Sequence, residues 1–279
     1  MTVGEALKAA GERLERAGLT SAEAEASALL GALLNASRSD LLLSRTRTLS
    51  AAELTELGGW LERREAREPL QHILGVAHFY GLTVRVTPDT LIPRPETECL
   101  VELGLTALVA VPAPKVLDVG TGSGAVALAV KAERPDASVW GTDLSAAALK
   151  VAAANAARLS LGVTFSRSDL LSAPDVRAFA RSADLLVTNP PYLPAADAAQ
   201  LSPEVRRDPP GALFSGADGL GHFRKLSAQA LRLLRPDAVC VIELDPRNVA
   251  RAHAESRAWA EAAVYPDLVG RARFLFLRR

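Results

Sequence analysis

A doubly wound α/β domain behind a small helical unit is the fold class this sequence predicts, and three observations predict it. From Lys115 onward, short apolar runs alternate with segments of helical period, the pattern of a parallel sheet covered by helices. A glycine-rich turn joins the first run to the first helix, and an acidic residue closes the second run. Residues 1–75, in contrast, carry only helical periodicity.

The helical unit comes first. Residues 1–19 alternate apolar and charged side chains at helical spacing and contain no continuous apolar stretch of the signal-peptide kind. Thr20-Ser21-Ala22-Glu23 reads as a capping box, with Thr20 as N-cap and Glu23 reaching back. Behind it Ala26, Leu29, Leu30, Leu33 and Leu34 share a face. Ser50-Ala51-Ala52-Glu53 repeats the signal ahead of Leu54, Leu57, Trp60 and Leu61. These stripes need burial, so residues 1–75 are expected to pack as a helical bundle. Residues 76–94 read as a connector: Gly81-Leu82 is the expected turn of a hairpin between Phe79-Tyr80 and Thr83–Val86. Pro95 is expected to open a helix, since its fixed φ suits the first helical position.

Residues 95–279 form the expected α/β domain. Strands are predicted at 115–119, 138–143, 163–165, 184–188, 238–244 and 271–277. Helices are predicted at 125–132, 145–159, 220–234 and 247–260. The last strand is expected to alternate inward and outward residues.

Composition narrows the function classes. The chain has 279 residues, and its 32 basic side chains balance 32 acidic ones. That balance argues against an unassisted electrostatic grip on nucleic acid. No apolar run reaches the ~20 residues that span a bilayer, so a cytoplasmic protein without membrane association is expected. The two cysteines, Cys99 and Cys240, stand far apart in apolar surroundings and read as buried thiols. The four histidines show no metal-ligand spacing and read as surface or partner-satisfied side chains; no metal is expected.

Asp118-Val119-Gly120-Thr121-Gly122-Ser123-Gly124 follows a strand and opens a helix. Its glycines let the backbone turn sharply and approach a ligand. Asp143 ends the next strand about 20 residues later, placed to accept from ribose hydroxyls. Together these features describe a nucleoside-cofactor site. Gly120, Gly122 and Ala125 also fit a dinucleotide fingerprint, so a nicotinamide oxidoreductase competes. A tight turn without a ligand is the plain alternative, and Asp118 has its own: a carboxylate that ties up nearby N–H groups.

Asn189-Pro190-Pro191-Tyr192 decides between the cofactors. It ends the fourth predicted strand of the sheet, where open α/β sheets bind ligands. A nicotinamide enzyme has no use for it there, whereas a methyltransferase acting on a planar nitrogen does. An amide nitrogen is a poor nucleophile because its lone pair is delocalised into the carbonyl. Asn189 offers a side-chain carbonyl and Pro190 a main-chain carbonyl, and the diproline stiffens the corner. Two acceptors on the two N–H bonds raise electron density on nitrogen and fix its direction. Tyr192 is expected to stack on the planar group and to favour a nearby sulfonium by cation–π attraction. Positioning for in-line displacement supplies roughly 7–11 kcal/mol of barrier lowering, so no general base is required.

With these motifs in hand, the sequence resembles the HemK/PrmC-type release-factor glutamine N5-methyltransferases over nearly its whole length. The likeness runs through Glu68–Gly75, Phe79–Leu82, Leu91-Ile92-Pro93-Arg94-Pro95-Glu96-Thr97-Glu98, the glycine turn and Asn189–Tyr192. It implies a seven-stranded class I methyltransferase domain, Rossmann-like, behind a helical substrate-docking domain and a β-hairpin. It implies S-adenosyl-L-methionine as cofactor, S-adenosyl-L-homocysteine as product, and the Gly-Gly-Gln glutamine of bacterial class I peptide-chain release factors as substrate. By matching position, Gly120, Thr121, Gly122, Ser123 and Gly124 would line the methionine and ribose, and Asp143 would bind the ribose. Asp169 and Leu170 would flank the adenine. Asn189, Pro190, Pro191 and Tyr192 would hold the glutamine amide, Asn189 also beside the cofactor. Arg94 would meet a peptide carbonyl or form an ion pair. Departures from the family lie at Pro236-Asp237-Ala238, Ile242-Glu243-Leu244-Asp245 and Arg207–Gly211. Three other readings remain: an N6-adenine methyltransferase on nucleic acid, a ribosomal-protein glutamine methyltransferase, and a binding module without turnover.

Overall fold

The computed structural model describes all 279 residues. They divide into two compact units, Met1–Gly75 with Ser202–Arg207, and Val76–Leu201 with Asp208–Arg279.

The first unit holds α1 (Val3–Arg16), α2 (Ala22–Leu34), α3 (Arg38–Leu43), α4 (Ala51–Glu65) and α5 (Leu70–Leu74). Val3, Ala6, Ala10 and Leu14 of α1 meet Ala26, Leu29 and Leu30 of α2 and Leu57 and Leu61 of α4 in one apolar core. Capping boxes open α1 at Thr2, α3 at Ser37 and α4 at Ser50. The box expected at Thr20 does not form. Ser21 is the N-cap of α2, so Ala24 rather than Glu23 occupies the third helical position, and no carboxylate reaches back. Arg64 is buried and pairs with Glu25 at 2.5 Å and Glu204 at 3.1 Å. A buried guanidinium demands such partners, and Glu204 thereby ties Ser202–Arg207 to this unit.

The second unit begins with a hairpin, β1 (Val76–Phe79) and β2 (Leu82–Arg85). Phe79 pairs with Leu82, so the turn residues are Tyr80 and Gly81, one position earlier than expected. Both take left-handed φ, 47° and 73°, the demand of a tight type I′ hairpin turn. Pro95–Thr97 forms a single 3-10 turn that leads into α6 (Glu98–Ala107).

The α/β layer then runs β3 (Lys115–Val119), α7 (Ala125–Glu133), β4 (Ser138–Asp143), α8 (Ala146–Leu159) and β5 (Val163–Arg167). It continues with α9 (Pro174–Ala180), β6 (Leu185–Thr188), α10 (Gly221–Leu233), β7 (Val239–Glu243), α11 (Val249–Glu255), β8 (Glu261–Pro266) and β9 (Ala272–Arg278). The sheet order is β5-β4-β3-β6-β7-β9-β8. The first five strands are mutually parallel, and β9 runs antiparallel to both β7 and β8. Successive residues of one strand serve opposite faces. Val116 packs with α6 and α7, and Leu117 with α9 and α10, which is why these strands read as continuous apolar runs.

Three expectations change. α11 stops at Glu255, and residues 256–260, expected to prolong it, form a turn ahead of β8 instead. α9 was not anticipated. β9 is buried on both faces over Arg273–Leu277 because it lies inside the sheet, so its expected in–out alternation is absent. Asp237 takes φ 65°, a left-handed value that L side chains rarely adopt. α6 lies so close to β6 that a Cβ at Gly104 would stand 3.0 Å from Leu185 Cδ2.

Candidate active site

The site forms at the carboxyl ends of β3, β4 and β6. After Val119 the chain turns through Gly120, Gly122 and Gly124, with φ 75°, 54° and 84°, values that L side chains rarely adopt. Gly120 and Thr121 donate their N–H groups to the Thr142 carbonyl, both at 2.8 Å. Gly122 donates to Asp143 Oδ2 at 2.9 Å, and Ser145 donates to Asp143 Oδ1 at 2.9 Å. Asp143 is thus braced between the turn and the start of α8.

Asp118 lies beneath this turn, 2% exposed. It accepts from Thr121 Oγ1 at 2.6 Å and from the Ala127 N–H at 3.2 Å. Burial pushes its carboxyl up to about 7, against the pull of those two donors. The plain reading of Asp118, a carboxylate that ties up local donors, describes what it does here. Asn155, fully buried, adds a second brace. Its Nδ2 donates to the Ser123 and Arg85 carbonyls, both at 2.9 Å, and its Oδ1 accepts from Arg85 N–H at 2.7 Å.

These elements bound a cavity of about 290 Å³. Gly120, Gly122, Asp143, Asp169, Leu170, Asn189, Pro190 and Pro191 line it, so the structure brings these predicted residues together. Thr121 and Ser123 are buried away from it, engaged with Asp118 and Asn155. Gly124 also lies outside the lining, as N-cap of α7. Tyr192 is absent from the wall as well. Its side chain packs against the α9–α11 side of the core, and its carbonyl takes a 3.5 Å bond from Asn248 Nδ2. Its phenol is held above the usual range by burial and by the nearby Glu243 carboxylate. Arg94 pairs with buried Asp208 at 2.5 Å, the ion-pair alternative of its two readings.

Other wall residues were not among the predicted site residues. Asp89, Thr90 and Leu91 follow the hairpin, and Pro209, Gly211 and Ala212 come from the long loop before α10. His222, read from sequence as unremarkable, also faces the cavity. Its Nδ1 lies 2.8 Å from Ser215 Oγ, which also accepts the His222 N–H at 2.8 Å. Burial lowers the affinity of this imidazole for a second proton. The periodicity of α10 identifies a buried face but not which end meets a cavity, so only tertiary placement reveals this residue.

Asn189 is half-buried at the end of β6. Its Nδ2 donates to Thr97 Oγ1 at 3.1 Å. That bond engages the donor end of the amide, and Oδ1 is its acceptor end. Thr188 Oγ1 donates to the Val119 carbonyl at 2.6 Å, tying the diproline corner to the glycine turn. The wall fits a nucleoside sulfonium: Asp143 and Asp169 are acceptors for ribose and amino donors, Leu144 and Leu170 are apolar, and Gly122 presents no Cβ.

Residues 5–75 match the PrmC N-terminal domain and residues 99–205 the methyltransferase small domain. A release factor glutamine methyltransferase of Deinococcus radiodurans is 45% identical over 100% of this chain and 99% of its own. Proteins of the same description from Streptomyces coelicolor (40% identical, 96% and 95% covered) and Rhodospirillum rubrum (39% identical, 100% and 86% covered) are also similar. Among solved structures, the hMettl16 catalytic domain superposes with a TM-score of 0.57 at 15% identity, covering 82% of this chain and 81% of that one. That likeness carries the fold alone.

Proposed function

The chain belongs to the release factor glutamine methyltransferase family, and from that premise we propose that it methylates the side-chain amide nitrogen of the Gly-Gly-Gln glutamine in class I release factors. The observation that carries this reading is the Asn189 amide, whose donor end is spent on Thr97 within the same wall that holds Gly120, Asp143 and Asp169. A glutamine NH2 brings two donors and needs acceptors opposite them. Asn189 Oδ1 and the Pro190 carbonyl supply the pair. The diproline removes backbone freedom, so the direction of the nitrogen is set before reaction.

S-adenosyl-L-methionine, when bound, supplies an electrophilic methyl on a sulfonium. Asp143 would hold its ribose, and Asp169 with Leu170 its adenine. Asn189 and Pro190 draw on the two N–H bonds of the substrate and orient the nitrogen, without a side-chain base. The neutral charge balance of the chain favours a protein substrate over a nucleic acid. No helix is long and apolar enough to cross a membrane, in keeping with action on a cytoplasmic release factor.

Asn189→Ala is expected to lower the turnover of a release factor by about a hundredfold or more. Cofactor affinity should stay within about threefold. Mass spectrometry of the Gly-Gly-Gln peptide and calorimetric titration with the cofactor check the two halves. Undiminished turnover would remove the amide clamp from the mechanism.

A further inference from the structure

A primary amide can sit in two orientations half a turn apart, which exchange oxygen for nitrogen. Only one of them presents an acceptor to the cavity. What holds Asn189 in that orientation lies behind it. Thr97 is 4% exposed and Glu243, the last residue of β7, is 1% exposed. Thr97 Oγ1 already accepts from Asn189 Nδ2. A hydroxyl has a single proton, and that proton then needs an acceptor elsewhere.

Glu243 is the complementary group. The Thr97 hydroxyl faces its carboxyl, and both carboxyl oxygens are buried without a hydrogen-bond partner. Arg273 Nη1 stands 3.8 Å away, and Arg273 is shared with Asp267 at 3.1 Å. A buried proton without an acceptor and a buried carboxyl without a donor are both costly; turned toward each other they satisfy both needs.

We propose that Thr97 and Glu243 are positioning residues that set the direction of the Asn189 amide. Ionised Glu243 only accepts, so it draws the Thr97 proton toward itself. That turns a Thr97 lone pair to the Asn189 NH2 and leaves Asn189 Oδ1 for the substrate nitrogen. This role rests on the proposed methylation of a glutamine amide at Asn189.

The relay has a sign. Burial pushes the Glu243 carboxyl up to about 7; Thr97, Arg273 and Arg94 pull it down and Glu96 pushes it up. Cys99 of α6 and Tyr192 face the same charge. Protonated Glu243 can donate to Thr97, which frees the Thr97 proton for Asn189 and permits the reversed amide. Turnover should therefore fall as pH drops through the Glu243 transition. Cofactor binding at Asp143 does not depend on that direction.

The test uses the full chain labelled with 15N-asparagine, the Asn189 side-chain signals being those lost in Asn189→Ala. In the wild-type chain these signals should titrate with a midpoint near 7, as Glu243 does. In Glu243→Gln they should stand still. Glu243→Gln and Thr97→Val should each lower kcat by about tenfold or more, with the cofactor Kd within about twofold. Thr97→Ser should keep kcat within about threefold of wild type. Wild-type Asn189 signals that ignore pH, or full kcat in Thr97→Val, would overturn the relay. A release factor left unmethylated by the wild-type chain would instead overturn the functional reading, since the amide titration needs no turnover.

Discussion

At the scale of single residues, the site is a set of groups whose hydrogen-bonding ends are already assigned. Asp143 accepts from Gly122 and Ser145 and lines the cavity. Asp143→Ala should raise the cofactor Kd by about tenfold or more, the order of a lost charge-assisted bond pair, while kcat at saturation falls less. Isothermal titration beside steady-state kinetics separates the two; an unchanged Kd would dismiss Asp143 as a cofactor contact. Asp143 and Asn189–Pro191 were legible from motif spacing, Asp169 and Leu170 only from the family resemblance, and all of them line the cavity. Tyr192 was legible as a residue but not as geometry, and Arg94 takes the ion-pair alternative of its two readings. One packs into the core and the other pairs with Asp208, both through partners remote in sequence.

At the scale of elements, the glycine turn is held by contacts from outside its own strand–turn–helix unit. Asn155 of α8 links the hairpin strand β2 to the Ser123 carbonyl through three hydrogen bonds. Asn155→Leu keeps the side chain's bulk but leaves three backbone groups unpaired in a buried site. The expected cost is about 2–5 kcal/mol, measurable by urea unfolding. A loss below about 0.5 kcal/mol would mean that water or a neighbour replaces the brace. Short elements were the least legible. α9 spans Pro174–Ala180 and β8 spans Glu261–Pro266, lengths at which periodicity barely separates helix from strand.

At the scale of the molecule, two buried carboxyls impose a pH dependence. Asp118 and Glu243 are both pushed up to about 7 in the folded chain, above their ordinary values of 3.8 and 4.5. A folded pKa above the unfolded one means that the native state binds more protons over that interval. Their contribution is full at pH below the ordinary values and is lost as pH rises through about 7. Thermal unfolding followed at about pH 5.5 and about pH 8 should therefore give the higher Tm at the lower pH, and Glu243→Gln should reduce the difference. Equal Tm values in the wild-type chain would contradict that linkage.

Sequence by itself determined the two-unit organisation as an expectation, the strand–helix alternation, the nucleoside-type turn and the diproline corner. All four are written in local spacing: helical and strand periods, glycines where φ must be positive, prolines where the chain must stiffen. Only the tertiary structure decided that Ser202–Arg207 belongs with the first unit, that β9 lies between β7 and β8, and that Thr97 and Glu243 stand behind Asn189. Those facts depend on pairings between residues tens to more than a hundred positions apart. Burial and hydrogen-bond satisfaction select such pairings, and no local pattern records them.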